Sequence, residues 1–190
     1  MDPILSVGIR YEQEVVVARQ YARALAGLLG FDPQQQTRLA TAVSEIARNA
    51  FQYAGGGRVE FNLEGDTAPQ VLLVRVSDRG PGILNLQHIL EEKYQSRTGM
   101  GLGIIGARRL MDRFEIQSEP GRGTTIWMRK LLPRRARLFS AGDITALAAS
   151  LNYGEPQNLL EELRQQNGGS EIGLEIWGDV AAVVEERLPQ

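Results

Sequence analysis

The sequence predicts an α+β two-layer sandwich, in which helices cover a mixed, mostly antiparallel sheet and a helical extension follows at the C-terminal end. Three observations support this prediction. Two long amphipathic helical patterns lie in the first third of the chain. Four short β-rich runs follow them, and a tight turn joins the last two into a hairpin. A further helical pattern comes after the last strand. Grouped helices and grouped strands are typical of α+β domains.

Composition limits the classes of protein that fit. A chain of 190 residues is long enough for one domain of ordinary size and an appendage. Its net charge of −2 gives no general attraction to nucleic acid or to anionic lipid, so we expect neither as a partner. With no cysteine and His88 as the one histidine, disulfides and histidine- or thiolate-rich metal sites are excluded. No apolar run approaches a membrane span, and we expect a cytoplasmic protein without a signal peptide.

The first two helices are predicted by their apolar stripes. Residues 12–29 carry apolar side chains at helical spacing, and Gly30 ends the pattern. Asp32 and Pro33 then have the residue types expected at the N-cap and first turn of a second helix. This helix is predicted to reach about Tyr53 and to end at the glycines that follow.

Five strands are expected. Residues 1–10 alternate weakly and predict an edge strand, whereas the others are β-rich runs bounded by turn residues. Thr124 and Thr125 are neighbours in the last strand, so one of the two points inward, where its hydroxyl could bond a ligand or simply favour the strand. The four β-rich runs are Arg58–Leu63, Val71–Ser77, Arg113–Glu119 and Thr124–Leu131.

Glu45 and Asn49 form the first candidate site. They are four residues apart on the second helix, so their side chains lie one turn from each other on the same face. A carboxamide oxygen is a suitable ligand for Mg²⁺, and a carboxylate can deprotonate a nucleophile. Taken alone, the same spacing favours an ordinary surface pair.

Asp78 forms the second candidate site, because it is a carboxylate directly after a buried strand. An isolated aspartate at a strand end is usually a turn-former or a helix cap. Gly80 and Gly82 are expected to open space beside its carboxylate.

A glycine cluster from Gly99 to Gly106 forms the third candidate site. A glycine-rich turn that opens a helix leaves backbone N–H groups to hold an anion. Gly101, Gly103 and Gly106 match the dinucleotide fingerprint, but the preceding residues are too polar for the strand which that fingerprint requires. The protein-kinase glycine loop also fails, because no strand with its lysine pattern follows.

Residues 83–98 are long for a plain connection and could form a lid over a ligand. His88 lies inside this segment, where we expect it to face solvent rather than to act in catalysis. Arg97 adjoins the glycine cluster; it could pair with a phosphate or be an ordinary surface cation.

Together these motifs resemble the GHKL ATPase superfamily, which uses the Bergerat ATP-binding fold. The resemblance covers about residues 5–132. Within the superfamily the chain is similar to the anti-sigma-factor serine kinase branch, and most of all to the RsbT-type switch kinases of the bacterial stressosome. The segments that carry the resemblance are residues 17–20, 41–49, 53–55, 78–83 and 109–112, together with Gly99–Gly103 and Gly121–Thr125.

The resemblance implies an ATP- and Mg²⁺-dependent serine/threonine protein kinase in stress signalling. Such kinases phosphorylate a serine of a STAS-domain partner and switch a downstream phosphatase or sensor-kinase output module. By the resemblance, Glu45 is the general base, Asn49 coordinates Mg²⁺, and Asp78 binds the adenine amino group with help from Thr124 or Thr125. The remaining nucleotide-binding residues are expected to be Gly80, Gly82, Arg97, Thr98, Gly99, Met100, Gly101, Leu102 and Gly103.

Another class of protein also fits: a nucleotide-gated binding module that activates a phosphatase or sensor kinase by docking, with little catalysis of its own. A histidine kinase in its own right is disfavoured, because His88 lies in the expected lid rather than on a dimerisation helix. A topoisomerase-like ATPase is disfavoured, because no transducer domain follows.

The C-terminal part departs from the family pattern. Residues 1–133 are predicted to form the kinase domain and residues 134–167 a helical extension or linker, with the helical pattern running from Asp143 to Gln166. Residues 168–170, Gly-Gly-Ser, are typical of a flexible linker, natural or engineered. Residues 171–190 form a tail that is either a fused partner peptide or an ordinary loop and C-terminal helix.

Overall fold

A five-stranded sheet covered by helices forms the core of the molecule. The computed structural model describes residues 3–91 and 100–152. The elements in chain order are β1 (Leu5–Ile9), α1 (Glu12–Leu28), α2 (Pro33–Ala54), β2 (Gly57–Glu64), β3 (Val71–Ser77), α3 (Leu86–Leu90), α4 (Met100–Leu110), β4 (Arg113–Glu119), β5 (Gly123–Leu131) and α5 (Ala141–Asn152).

The strands are arranged in the order β1-β2-β3-β5-β4. Each pairing among the described strands is antiparallel, so the sheet is wholly antiparallel there rather than mixed. Short links join β2 to β3 and β4 to β5, whereas α1 and α2 lie between β1 and β2, and α3, α4 and β4 lie between β3 and β5. The predicted α+β sandwich is otherwise confirmed.

Alternation along the strands separates a buried face from a charged one. In β3, Leu72, Val74 and Val76 are buried, whereas Arg75 between them is exposed. Helices α1 and α2 pack against each other, and α2 packs on β2, β3 and α4. The buried side chains of the sheet and the helices form one apolar core, which is the driving force for this arrangement. Helix α2 is therefore the central helix of the fold.

Helix α2 begins where its sequence predicts. The side chain of Asp32 accepts a hydrogen bond from the backbone N–H of Gln35 at 2.8 Å, and Pro33 occupies the first turn. At the other end Gly55 adopts a left-handed conformation with φ of 71°, a common way to end a helix. These two ends fix the length of α2, and hence the positions of the polar residues along it.

Helix α4 begins at Met100, inside the glycine cluster that the sequence predicts to be a turn. Gly101 and Gly103 therefore lie inside the helix instead of in a turn ahead of it. Glycine is a poor helix former, so the sequence alone favours a turn. Close packing of α4 on α2 outweighs this preference.

Residues 132–152 fold back onto the domain. The side chain of Gln70 is buried and bonds the backbone of Phe139 in both directions: Nε2 to the carbonyl oxygen at 2.9 Å, and Oε1 from the N–H at 2.7 Å. Leu147 and Leu151 of α5 are buried in the common core. Helix α5 begins at Ala141, slightly before the predicted Asp143. The predicted linker and tail, residues 168–170 and 171–190, lie outside the described residues.

Among the helices that the structure describes, none combines the length and the apolar character needed to cross a bilayer.

Candidate functional site

A pocket of about 440 Å³, counted with its mouth, lies between α2, α4 and the ends of β3 and β5. Its wall is mostly apolar, with a few polar side chains among the lining residues. This combination of apolar walls and few, placed polar groups is usual for small-molecule sites. The lining residues are Ile46, Asn49, Ala50, Tyr53, Ala54, Val76, Asp78, Pro81, Gly82, Ile83, Ile104, Thr124 and Ile126.

Asp78 lies at the end of β3 and is held by the backbone of two loops. Its Oδ1 accepts hydrogen bonds from the N–H of Gly80 at 2.9 Å and from the N–H of Thr124 at 3.2 Å. Its own N–H donates to the carbonyl of Thr124 at 2.9 Å. In the part of the chain that the structure describes, no group bonds Oδ2, so this oxygen can accept from a ligand in the pocket.

The glycines around Asp78 are required by backbone packing. A Cβ atom at Gly80 would lie 2.3 Å from the Cβ of Ala54, and one at Gly82 would lie 2.3 Å from the carbonyl oxygen of Glu119. The interpretation that these glycines open space beside the carboxylate is therefore incomplete. They let the Asp78 loop press against α2 on one side and against the β4–β5 turn on the other.

Asn49 lies on the pocket wall with a buried polar atom that has no protein partner. Among the described residues, nothing bonds its Nδ2. A buried polar group without a partner costs free energy and is a position where a ligand or water is expected. Asn49 is therefore the residue of the site that most directly indicates a ligand-binding role.

Glu45 lies one turn of α2 before Asn49, as its spacing predicts. Its Oε1 accepts a hydrogen bond from Nη1 of Arg48 at 3.3 Å. Its side chain is 38% exposed, so the carboxylate can be reached from solvent. Glu45 does not line the pocket itself but lies beyond Asn49, beside the first turns of α4.

The start of α4 lies against these two side chains. A Cβ atom at Gly103 would lie 3.1 Å from Oε2 of Glu45 and 3.5 Å from Nδ2 of Asn49. The N-terminal end of a helix carries a partial positive charge and unpaired N–H groups, which favour a phosphate nearby. Met100, Gly101 and Leu102 belong to this end of the helix; the predicted residues Arg97, Thr98 and Gly99 lie outside the described residues.

Thr124 is the inward-facing member of the threonine pair: it is buried and lines the pocket, whereas Thr125 faces the other side of the sheet. Its Oγ1 lies 2.9 Å from Oγ of Ser118, the residue opposite it in the hairpin. Sequence reasoning missed Ser118, because a serine between polar residues looks like part of a solvated edge strand. The available signal was that Ser118 and Thr124 lie at equal distances from the hairpin turn, which places them opposite each other.

His88 is exposed on the short helix α3 and does not line the pocket. Within residues 3–91 and 100–152, no group of three or more metal-ligating side chains occurs. A site for Mg²⁺ would therefore depend on one or two side-chain oxygens together with phosphate oxygens of a ligand, which is a common arrangement for this ion. Asn49 and the adjacent Glu45 supply hard oxygen donors of this kind.

Comparisons with known proteins agree with this geometry. Residues 10–130 match the model of a family described as "Histidine kinase-like ATPase domain". The chain is 39% identical over 127 residues to the serine/threonine-protein kinase RsbT of Bacillus subtilis (strain 168), an alignment that covers 65% of this chain and 96% of the relative. It is 33% identical over 111 residues to the anti-sigma F factor of Pasteuria penetrans, covering 52% of this chain and 70% of the relative.

A solved structure, that of full-length ShkA in complex with AMPPNP, is also similar to part of the chain. The superposition has a TM-score of 0.45 and 19% sequence identity, and it covers 68% of this chain and 32% of the other.

Proposed function

Because the chain belongs to the histidine kinase-like ATPase domain family and is similar over 127 residues to a serine/threonine kinase, we propose that it transfers the γ-phosphate of ATP to a serine of a STAS-domain partner protein. The transfer would switch a downstream output, a phosphatase or a sensor-kinase module. The observation that supports this most is the order of three side chains along the site: Asp78, then Asn49, then Glu45.

Asp78 provides the base-binding end of the site. Its Oδ1 is fixed by two backbone N–H groups, which leaves Oδ2 as a directed acceptor for the amino group of adenine. The apolar side chains around it, such as Ile46, Ile104 and Ile126, can cover the faces of the ring and exclude water. A hydrogen bond to a charged acceptor in such a place is stronger than one in water.

Asn49 and the start of α4 provide the phosphate end. The carboxamide of Asn49, with its buried unpartnered nitrogen, fits a group that approaches from the pocket, and its oxygen would hold Mg²⁺. The ion, when bound, would neutralise charge on the phosphate oxygens. The N–H groups at the start of α4 would bind the same phosphates. Phosphoryl transfer requires mainly this positioning and charge neutralisation.

Glu45 is the base in this proposal. It lies beyond Asn49 on the open side of the site, where a partner serine can approach. A carboxylate there can take the hydroxyl proton of the serine during transfer, which contributes about 10²–10⁴-fold in rate. For this, the carboxylate must turn from Arg48 towards the incoming hydroxyl.

The first experiment measures transfer of labelled γ-phosphate from Mg-ATP to a candidate STAS-domain protein. We expect labelled partner with the unchanged chain, and a loss of about 100-fold or more with Glu45→Gln. Glu12→Gln, an exposed glutamate in the first turn of α1, serves as the matched control and should keep full activity. Full transfer by Glu45→Gln would show that Glu45 is not the base.

Nucleotide binding is tested separately with Asp78→Asn. Asparagine lacks the negative charge of the carboxylate, and one of the two acceptor oxygens is replaced by an NH2 group, which donates. We therefore expect ATP to bind about 10- to 100-fold more weakly. Asp66→Asn, in the exposed turn between β2 and β3, is the control and should bind ATP normally. If Asp78→Asn binds ATP as well as the unchanged chain does, the pocket is not the adenine site.

A second function, docking without catalysis, is favoured by one contact. Arg48 bonds the carboxylate of Glu45 at 3.3 Å, so the expected base is already engaged by a cation. In a nucleotide-gated binding module this ion pair would be structural, and the output would be docking onto a phosphatase or sensor kinase. If no phosphate is transferred, but the chain binds ATP and Asp78→Asn weakens that binding as expected, docking would be favoured over the kinase.

A further inference from the structure

Ser118 has no role in the proposed function, yet its hydroxyl makes three hydrogen-bond contacts beside the site. It lies half-buried on edge strand β4, directly opposite Thr124. Its Oγ is 2.8 Å from the N of Ile83, 2.9 Å from Oγ1 of Thr124 and 3.3 Å from the carbonyl oxygen of Gly123. One hydroxyl thus joins the β4–β5 hairpin to the chain that leaves the Asp78 loop.

Counting protons assigns a direction to each of these contacts. A serine hydroxyl has one proton to donate and two lone pairs with which to accept. The N–H of Ile83 can only donate, and the carbonyl of Gly123 can only accept. All three contacts are satisfied when Ser118 donates to Gly123 and accepts from both Ile83 and Thr124.

This assignment determines what Thr124 can offer to a ligand. Its hydroxyl proton is directed to Ser118, so only the lone pairs of Oγ1 remain for the pocket. Asp78, whose Oδ1 accepts the N–H of Thr124 at 3.2 Å, presents the second acceptor, Oδ2, on the same wall. The polar end of the pocket is therefore lined with acceptors.

We infer that Ser118 is a positioning residue for base selection: by holding Thr124 as an acceptor, it favours a purine with an amino group at position 6 over one with a keto oxygen. The inference rests on the proposed function of the pocket as a nucleotide site. The 6-amino group of adenine donates hydrogen bonds to such acceptors. A 6-keto oxygen would place its lone pairs against the lone pairs of Thr124 and Asp78. This arrangement costs free energy because all of these oxygens lose water without gaining hydrogen-bond donors.

The experiment compares equilibrium binding of Mg-ATP and Mg-inosine triphosphate, whose base has the 6-keto oxygen, to the full chain. In Ser118→Ala the Thr124 hydroxyl is free to rotate and to donate. The preference for ATP over inosine triphosphate should fall about three- to tenfold, as for the loss of one hydrogen bond. Ser118→Thr, which keeps a hydroxyl, should restore it. Gln117→Ala, on the other face of the same strand, should leave it unchanged.

The ratio of ATP binding to inosine triphosphate binding distinguishes a role of Ser118 in base selection from a purely structural role. A serine that merely stabilises the hairpin, as cross-strand Ser–Thr pairs do, would weaken both nucleotides equally when removed, and this result would overturn the inference. Thr124→Val removes the hydroxyl that Ser118 acts through. In the Thr124→Val background, Ser118→Ala should have no further effect on the ratio of ATP to inosine triphosphate binding. If Ser118→Ala lowers the ratio there as much as it does alone, this result would likewise contradict the inference.

Two checks keep the outcomes distinct. If Ser118→Ala fails to fold by circular dichroism, Ser118→Cys, of similar size but with a weak donor and acceptor, is expected to lower the same ratio. If the unchanged chain does not bind ATP, the proposed function fails and this inference with it. The inference alone fails if the unchanged chain binds ATP, if Asp78→Asn weakens that binding, and if the Ser118 variants nevertheless keep the full preference for ATP.

Discussion

Glu45 and Gly103 face each other across the interface of α2 and α4: Oε2 of Glu45 lies 3.1 Å from the position that a Cβ atom on Gly103 would occupy. The same place is 3.5 Å from Nδ2 of Asn49. The glycine therefore gives the carboxylate and the carboxamide the space that their present positions require. Among the residues that the structure describes, none comes within 4 Å of the Cβ position of Gly106, one turn further along α4.

Alanine at Gly103 should lower phosphotransfer without lowering stability. Alanine stabilises a helix by about 1 kcal/mol relative to glycine, which offsets the crowding because the exposed Glu45 side chain can move aside. Its movement displaces the base. We expect phosphotransfer about tenfold slower, since small misplacements of a reacting group are costly, with an unchanged or higher melting temperature.

Gly106→Ala is the matched control in the same helix. It should raise stability by about 0.5–1 kcal/mol and leave phosphotransfer unchanged. Equal activity of the two variants, measured beside thermal unfolding, would mean that the Gly103 contact does not position Glu45.

A second prediction compares two glycines of positive φ. Gly82 and Gly121 have φ of 72° and 75°, and alanine at either position costs about 1 kcal/mol in this backbone region. Gly82 also meets a backbone atom, the carbonyl oxygen of Glu119, 2.3 Å from its Cβ position, whereas no described residue lies within 4 Å of the Cβ position of Gly121. In urea unfolding, Gly121→Ala should lose about 1 kcal/mol and Gly82→Ala about 3 kcal/mol or more. Similar losses would contradict the tight packing of the Asp78 loop.

The third prediction concerns pH and the start of α5. Burial opposes ionisation of Asp143 and is the largest single influence, but hydrogen bonds from Ser140 and the nearby Arg137 together outweigh it and lower the pKa of Asp143. Its Oδ2 accepts from the N–H and the hydroxyl of Ser140, both at 2.7 Å, and Arg137 donates to Oδ1 at 2.6 Å.

A carboxyl whose pKa is lower in the folded state stabilises the fold above its unfolded pKa, about 3.9, and loses this contribution as the pH falls through the folded pKa. Asp143→Asn should therefore cost about 1 kcal/mol at pH 7, as for a lost helix cap. The difference from the unchanged chain should shrink as the pH approaches 3. Urea unfolding at both pH values measures this, and a difference that grows on acidification would oppose the assignment.

The family and the main elements could be predicted because their signals are local. The apolar stripe and the Asp32–Pro33 start determine α2, and the spacing of Glu45 and Asn49 then places both on one face. The family match over residues 10–130 confirms the predicted superfamily, and the similarity to a serine/threonine kinase confirms its branch.

The structural reasons for the glycines could not be predicted, because they depend on tertiary contacts. Gly101 and Gly103 indicate a turn by propensity, yet packing against α2 places them in a helix. Gly80 and Gly82 are explained by Ala54 and Glu119, which are distant in sequence. No pattern in the amino-acid sequence indicates that these residues come so close together.

The environments of two polar residues, buried Gln70 and half-buried Ser118, could not be predicted for a related reason. Ser118 stands between Gln117 and Glu119, and Gln70 follows the turn-rich residues 64–69, so the sequence indicates solvent at both places. Their environment depends on which strand or loop lies opposite: Thr124 for Ser118 and Phe139 for Gln70. Hydrogen-bond partners of this kind follow from topology, which the sequence pattern determines only in outline.

The contact between Gln70 and Phe139 has a practical consequence for measuring the site. Gln70 immediately precedes β3 and Asp78 immediately follows it, so the strand separates the two by about 26 Å at 3.3 Å per residue. A fluorescent reporter attached to the exposed Leu138, next to this contact, would be at a distance suited to energy transfer from a labelled nucleotide in the pocket. It would report occupancy without touching the residues that bind.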